Sequence, residues 1–495
     1  MHRTFVKILG AALSVLLASC MEVGPSYQQP NPDIPARWSD ASGTVSVSEN
    51  SEIAAWWTLF NDPVLTSLIT RAISSNQEVR IAETRIREAR AQRRMIGADR
   101  FPTVDSSAAY THSQVGQNAL MGEFGQSLSQ NNVSQELYQL EANQDLYQAG
   151  FDAKWELDFF GGKRRAAEEA DAALAATVEE KRDVLVSLLA EVSRNYLELR
   201  GAQQRLIVAR DNRALQEKTI DMLQERFRLG FGGELAVKQA QAQLALSLSQ
   251  IPLLEAATQE SINQLALLLG QRPDILAPEL SGQGHLPAAP PRIPVGLPSE
   301  LLRQRPDIRG AERQLAAATA DVGVATADLF PHFSLTAFLG FESPNLSDLV
   351  TSGSRLWSVG PAVNWNVFDA GKARAGVEAS DSRRDRAQIV YEKTVLNALV
   401  EVENAMVALS HEQESGKNLQ TSVAAGRRAL DISKSQYELG LVDFVTVLQT
   451  EISLFQSQDQ LVQSEQLVSL DTVALFKALG GGWQIGDKKS LITDK

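Results

Sequence analysis

Residues 147–159 read Tyr147-Gln148-Ala149-Gly150-Phe151-Asp152-Ala153-Lys154-Trp155-Glu156-Leu157-Asp158-Phe159. Apolar residues hold every odd position, and polar or small residues hold every even one. Successive side chains of a strand point to opposite faces of its sheet, so the pattern predicts a strand with one apolar and one polar face. Residues 356–368 repeat it, with Trp357, Val359, Pro361, Val363, Trp365 and Val367 against Ser358, Gly360, Ala362, Asn364 and Asn366. Phe333, Leu335, Ala337, Leu339 and Phe341 form a third such face, and residues 101–112 alternate weakly. Long period-two segments with aromatic ends suit a transmembrane β-barrel, and they also suit a soluble sheet with one wet face. Four strands cannot close a barrel, and lipid does not tolerate an open edge. If these strands span a membrane, several protomers must share one barrel under cyclic symmetry. The polar parity carries Asp152, Glu156 and Asp158 against Lys154, a mildly acidic candidate pore lining that favours cations.

Outward from these strands the chain repeats itself. Arg80-Ile81-Ala82-Glu83 matches Arg309-Gly310-Ala311-Glu312, and Ala98-Asp99-Arg100-Phe101-Pro102 matches Ala327-Asp328-Leu329-Phe330-Pro331, both at an offset of 229. Trp155…Gly162-Lys163 matches Trp365…Gly371-Lys372, and Leu229-Gly230 matches Leu439-Gly440 at an offset of 210. The first copy therefore holds about 20 extra residues, mostly between Thr111 and Tyr147, and a proline-rich linker separates the copies. Each copy starts with a helical stretch (about 63–98 and 299–328), breaks at a Phe-Pro step, and continues into two strands and two long helices.

The long helices follow a coiled-coil period. Val178, Leu185, Val192, Leu199 and Leu206 are spaced by sevens, and Val395, Val402 and Leu409 keep that phase in the second copy. As one helix, Lys163 to Leu229 is about 100 Å long at 1.5 Å per residue. Each long helix stops at a glycine, in Leu229-Gly230-Phe231 and Leu439-Gly440-Leu441, and the next helix returns to about Gly270 and Gly480. An ordinary soluble coiled coil has the same period.

The N-terminus has an address of its own. Arg3 and Lys7 precede an apolar run from Ile8 to Leu17, then Ala18-Ser19-Cys20. A basic start, a short apolar core and small residues before a cut read as a secretory signal, too short for a membrane-spanning helix. Cys20 is the one cysteine of the chain and stands where a bacterial lipoprotein signal places its lipid acceptor. Met21 rather than Asp follows, which points to the outer membrane. The expected order is a signal peptide (1–19), a lipidated extended tether (20–60), a first repeat (61–280) and a proline-rich linker (281–298). A second repeat (299–480) and a polar tail (481–495) follow. Strands are expected near 101–112, 147–160, 330–342 and 355–369, and helical hairpins near 163–270 and 372–480.

Composition narrows the function. The net charge of −13 over 495 residues argues against binding nucleic acid by phosphate neutralisation. Five histidines stand far apart, and one cysteine excludes a disulfide scaffold or multi-cysteine metal site. The catalytic motifs G-x-S-x-G, G-x-x-x-x-G-K-[ST] and H-E-x-x-H are missing, so neither an enzyme nor a cofactor is implied.

Three stretches carry a family resemblance: Cys20 with Val23-Gly24-Pro25-Ser26-Tyr27, Trp155-Glu156-Leu157-Asp158-Phe159-Phe160-Gly161, and Leu297-Pro298-Ser299-Glu300-Leu301-Leu302-Arg303-Gln304-Arg305-Pro306-Asp307-Ile308. With the duplication, they resemble the outer-membrane factor family. These are the TolC-like channels of bacterial tripartite efflux pumps and type I secretion systems, and the nearest branch is the NodT-like lipoproteins of RND-type pumps. The resemblance implies an α+β membrane protein. Its homotrimer forms a 12-stranded β-barrel, four strands per protomer, continuous with a long periplasmic α-helical barrel. It also implies a periplasmic adaptor, an inner-membrane RND-type transporter and an outer-membrane lipid anchor as partners. The adaptor would meet the hairpin tips at Leu229, Gly230, Phe231, Leu439, Gly440 and Leu441, where exposed apolar residues flank a glycine. Tyr437 matches a tyrosine at the family's periplasmic gate. Thr446 and Gln449 replace the usual acidic ring, with Asp443 nearby and Glu451 one turn further. The function implied is passive conduction of small toxic compounds. A protein-secretion duct and a lipid-anchored periplasmic scaffold are the alternatives.

Overall fold

The computed structural model describes residues 22–39, 45–47, 53–114, 143–282, 284–290 and 293–485. In chain order these form β1 (Val45–Val47), a 3-10 turn (Trp56–Phe60), α1 (Pro63–Ser75), α2 (Gln77–Ala98), β2 (Thr103–Gln114) and β3 (Asn143–Leu157). Then come α3 (Gly162–Arg228), α4 (Glu234–Leu268), α5 (Pro273–Leu280), β4 (Ile293–Val295), α6 (Leu301–Gln304) and α7 (Pro306–Ala327). The chain continues through β5 (His332–Ser343), β6 (Arg355–Asn364), α8 (Lys372–Glu438) and α9 (Phe444–Ala478). Helices α3 and α8 both have 67 residues, and α4 and α9 both have 35, so the two copies agree element by element.

The ends of these helices follow from their sequences. Asp62 caps α1 by accepting from the Val64 and Leu65 amides, and Pro63 fills the first position, where no amide is needed. The helical stretch 63–98 consists of two helices, α1 and α2. Asn76 is extended (ψ 136) and its side chain donates to the Leu268 carbonyl while accepting from the Val79 amide. Helices α3, α4, α8 and α9 all stop at a left-handed glycine: Gly230, Gly270, Gly440 and Gly480. In each case the glycine amide and the next amide turn back to two carbonyls of the last turn, for example Gly230 to Phe227 (3.0 Å) and Phe231 to Arg226 (2.8 Å).

The chain divides into two compact units. The first comprises residues 1–28, 89–173 and 315–386. Its centre is one antiparallel sheet in the order β2-β3-β5-β6. The register pairs Tyr110 with Tyr147, Trp155 with Leu335 and Leu339 with Trp357, so most of the large apolar residues of the four strands share one face. Val104, Phe151, Trp155, Leu339, Trp357, Val359 and Val363 are all exposed on it. Such a surface is far larger than a water-soluble monomer leaves uncovered. The repeat also recurs in a hydrogen bond. Trp155 donates to the Arg100 carbonyl (3.0 Å) and Trp365 to the Leu329 carbonyl (3.2 Å), so each tryptophan pins the Phe-Pro turn of its own copy.

Some boundaries differ from expectation. The last strand stops at Asn364, leaving Trp365, Val367 and Phe368 beyond it and exposed. The strand beginning near 147 opens four residues earlier and closes at Leu157. Asp158 is therefore not a strand residue. Its carboxylate accepts from the Lys163 and Arg164 amides (3.1 and 2.9 Å) at the start of α3. Asp369 does the same for α8 through Gly371 and Ala373, and those amides hold its carboxyl below the usual range. Residues 115–142, which contain most of the expected insertion, lie outside the described residues.

At the chain's start, Gly24 has φ +85 and presses on α7. A Cβ there would fall 2.5 Å from the Gly323 Cα. This explains the glycine of Val23-Gly24-Pro25 in steric terms. Arg165, buried, donates to the Val23 carbonyl from below.

The second unit comprises residues 29–88, 174–314 and 387–495 and holds the main core. Leu185, Val192, Leu199, Val395, Val402 and Leu409 are buried there, and Val178 and Leu206 are half-buried. Three segments expected as peripheral are built into this core. Trp38 of the supposed tether is buried and donates to the Gly296 carbonyl (2.8 Å). Strand β1 pairs in parallel with β4 of the supposed linker, Val45 with Ile293 and Val47 with Val295. Trp56 stacks on Phe476 with ring centroids 5.2 Å apart. The supposed polar tail begins with Trp483, which donates to the Gln304 carbonyl (2.8 Å) and lies under the guanidinium groups of Arg182 and Arg309. Large aromatic rings explain the tether and the tail, where a tryptophan contributes more apolar area than the surrounding polar residues remove, and the linker is held by its strand pairing and by the buried Ile293 and Val295.

Candidate functional site

Two regions can serve transport, one in each unit. In the first unit it is the polar face of the sheet. Asp105 and Asp152 are direct cross-strand partners, as are Thr103 and Lys154. Asp152 and Lys154 are exposed on this face, and Glu156 is half-buried at its end, 3.3 Å from the Lys163 ammonium and 2.9 Å from His332 Nδ1. Three of the four residues expected to face a pore thus share one face, while Asp158 caps a helix instead.

The second region is the pair of hairpin tips. Leu229 (57% exposed), Phe231 (75%), Leu439 (74%) and Leu441 (70%) project beside Gly230 and Gly440. Nothing lies within 4 Å of the position a Cβ would take on either glycine. The glycines are needed for their φ of +79 and +73, not for close packing. Behind the tips, Ile220, Leu223, Val237, Ala240, Val423, Leu430, Phe444, Val447 and Leu454 form a small core shared by α3, α4, α8 and α9.

Tyr437 packs against that core. The Arg226 guanidinium lies 4.9 Å above its ring, and Phe444 meets it edge-on at 5.8 Å. The cation–π contact with Arg226 joins the first hairpin to the second, while the aromatic contact with Phe444 braces the second hairpin's own turn. Asp443 does not join Tyr437. Its carboxylate accepts from the Thr446 amide (3.1 Å) and hydroxyl (2.9 Å), capping α9. The two candidate gate residues flank the same turn but have separate partners.

Sequence reasoning gave Glu451 no role. Its side chain is 2% exposed, between Val447 and Leu454 on the buried stripe of α9, and neither carboxylate oxygen has a hydrogen-bond partner. Burial pushes its pKa up, against a weaker opposing effect of Lys434. The signal was present in the sequence: a carboxylate on the apolar stripe of a coiled coil. Cys20 lies outside the described residues. Among the described residues no helix is long and apolar enough to cross a membrane, and no group of three His, Cys, Asp or Glu is arranged to hold a metal.

A duplicated α+β chain with an exposed apolar sheet face and long helical hairpins defines an envelope channel. The outer membrane efflux protein family matches residues 68–271 and 297–481, and the chain belongs to it. Among curated relatives, the probable outer membrane lipoprotein SilC of Salmonella typhimurium is 30% identical over 97% of this chain and 99% of its own. The solvent efflux pump outer membrane protein SrpC of Pseudomonas putida is 31% identical over 95% and 97%. The solved structure of the outer-membrane channel OprN superposes with a TM-score of 0.85, at 38% identity over 93% of this chain and 99% of that one. The protein is an outer-membrane efflux channel, not an enzyme. Such a channel is the outer component of a tripartite efflux system.

Proposed function

We propose that three copies of this chain form a passive exit duct in which each sheet supplies four strands of a shared 12-stranded barrel. The observation that carries this reading is the sheet itself. Among the described residues its outer strands β2 and β6 each have one edge without a partner, and its apolar face leaves Val104, Phe151, Leu339, Trp357, Val359 and Val363 exposed. Edge pairing between copies satisfies the backbone, and the apolar face meets lipid. Lipid on Cys20 anchors the start of the mature chain in the inner leaflet of the outer membrane. The tips at Leu229, Gly230, Phe231, Leu439, Gly440 and Leu441 dock a periplasmic adaptor, which links the duct to an inner-membrane RND-type transporter. Tyr437, held by Arg226, forms part of the periplasmic gate, and Asp443 fixes the start of the helix behind it. The cargo is a small toxic compound such as a drug, solvent or metal ion.

A deletion strain and its complement, compared across dyes, antibiotics, detergents, organic solvents and metal ions, test the reading. Rescuable hypersensitivity with raised intracellular accumulation is expected. Unchanged tolerance together with a missing secreted protein would instead identify a protein-secretion duct. A purified protein that runs as a monomer and carries no current would leave the scaffold.

A further inference from the structure

The polar face of the sheet carries one side chain that breaks its pattern. Across the described strands the residues of that parity are small, hydroxylic, charged, amide or aliphatic, with His332 at one end; Phe338 is the only phenyl, phenol or indole ring among them. It faces Asp152 on one side and Ser358 on the other, each as a direct cross-strand partner. One step along, Gly150 faces Gly340. A Cβ on Gly150 would lie 2.7 Å from the tip of the Phe338 ring, and one on Gly340 would lie 2.8 Å from it. Neither glycine has a positive φ, so neither is there for its backbone freedom. The paired glycines let the two backbones approach closely, since a Cβ on Gly340 would also fall 2.5 Å from the Ala149 carbonyl oxygen and one on Gly150 2.8 Å from the Leu339 carbonyl oxygen, and the same space lets the ring lie back against the sheet.

We infer that Phe338 is a cargo-contact residue of the duct, an aromatic surface selective for amphiphilic organic cations. The inference rests on the proposed trimer, in which the polar face lines the lumen. There the ring is half-buried against a glycine platform, so one part of it is fixed and another is left to passing solutes. The charge beside it sets the class of solute. Asp105 and Asp152 oppose each other directly, and among the described residues neither carboxylate has an ion pair. Ser107 donates to Asp152 (3.2 Å), which orients the carboxylate without neutralising it. A cation with an apolar body can meet the ring and the carboxylates together. A small hydrated cation meets only the carboxylates, and an apolar neutral solute only the ring.

The test uses the purified full-length protein in planar bilayers, with tetraphenylphosphonium as the aromatic cation and tetraethylammonium as its aliphatic counterpart. Tetraphenylphosphonium is expected to reduce the single-channel current at much lower concentration than tetraethylammonium. Phe338→Leu should weaken the tetraphenylphosphonium block about fivefold, the ratio expected for a lost contact of this kind, and leave the tetraethylammonium block unchanged. Phe338→Tyr should restore it. Equal tetraphenylphosphonium block in wild type and Phe338→Leu would overturn the inference while leaving the duct intact. Protein that inserts without carrying current would overturn the duct and this inference with it.

Discussion

The two hairpin tips share a bend and differ in how it is held. Both end their first helix with a left-handed glycine and the same pair of returning amides, Gly230 and Phe231 in one, Gly440 and Leu441 in the other. The offset of 210 that superposes them places Gly233 on Asp443. Gly233 opens α4 with no side-chain cap, whereas Asp443 caps α9. The first tip also contains Gly232, so three glycines lie within four residues there, against one in the second. Behind the tips, Gln241 of the first hairpin is exposed, and its equivalent Glu451 is buried without a partner. The first tip is thus uncapped at its turn and carries a solvated amide behind it. The second is fixed at its turn and carries an uncompensated group behind it. Duplication preserved the bend, because only a glycine fits it, and let the surroundings diverge.

The largest expected effect removes what the tips share. Phe231→Asp with Leu441→Asp should abolish export, read as loss of tolerance in the complemented strain, with the proposed trimer and the protein level unchanged. If the tips are plain turns, tolerance will persist.

Glu451→Met targets the difference behind the tips. A buried, unpartnered polar group costs about 1–3 kcal/mol, so this variant should be more stable than wild type at pH 7.5. The sign with pH follows from the raised pKa. The folded protein binds the proton more tightly than the unfolded one, so wild-type stability is greatest below the unfolded value of about 4.3 and falls as pH rises above it. The advantage of Glu451→Met should therefore shrink towards pH 4, as melting curves at both pH values will show. An advantage that is constant with pH would mean that the carboxyl does not titrate in the fold.

Gly440→Ala forces a β-carbon into a left-handed backbone and should cost about 1–2 kcal/mol at the second tip, seen as faster hydrogen exchange at Gly440 and Leu441. Gly230→Ala should cost about the same, which separates the shared bend from the unshared cap. The smallest effect concerns the cap itself. Asp443→Ala should lose about 1 kcal/mol and Asp443→Asn almost none, while Gly233→Asp should gain a few tenths. Equal exchange rates at the two turns after these swaps would confirm that the cap is what distinguishes them.

The strands, the helix lengths and the duplication were legible in the sequence because each rests on a period sustained over many residues. Trp155 and Trp365, 210 apart, identified both edges of the pattern. What was not legible depends on single residues meeting across the fold. The pentapeptide Gln-Arg-Pro-Asp-Ile occurs twice, at 271–275 and 304–308. Both copies start a helix at the proline, and both arginines pair with the aspartate two residues on. Yet the Arg272 side chain is 77% exposed, while Arg305 is buried and also donates to Glu401 and the Ala478 carbonyl. Local sequence sets the helix start, and only the packing decides which arginine bridges distant elements. The same holds for Trp38 and Trp483, whose neighbours read as tether and tail. A three-residue parallel pairing such as β1 with β4 is too short to show any period. At the site, the polar parity of Asp152, Lys154 and Glu156 could be read directly. The end of the strand before Asp158 could not, because a carboxylate that caps a helix looks, in sequence, like one more polar step.

The stacking of Trp56 on Phe476 sets an order of events during biogenesis. These rings are separated by most of the chain, and both belong to one core. A polypeptide that emerges N-terminus first presents the indole long before the phenyl ring that covers it. Until residue 476 arrives, that apolar surface stays open. The core that holds both rings therefore closes only after both copies of the repeat have emerged, and the open indole surface favours aggregation or an escort in that interval.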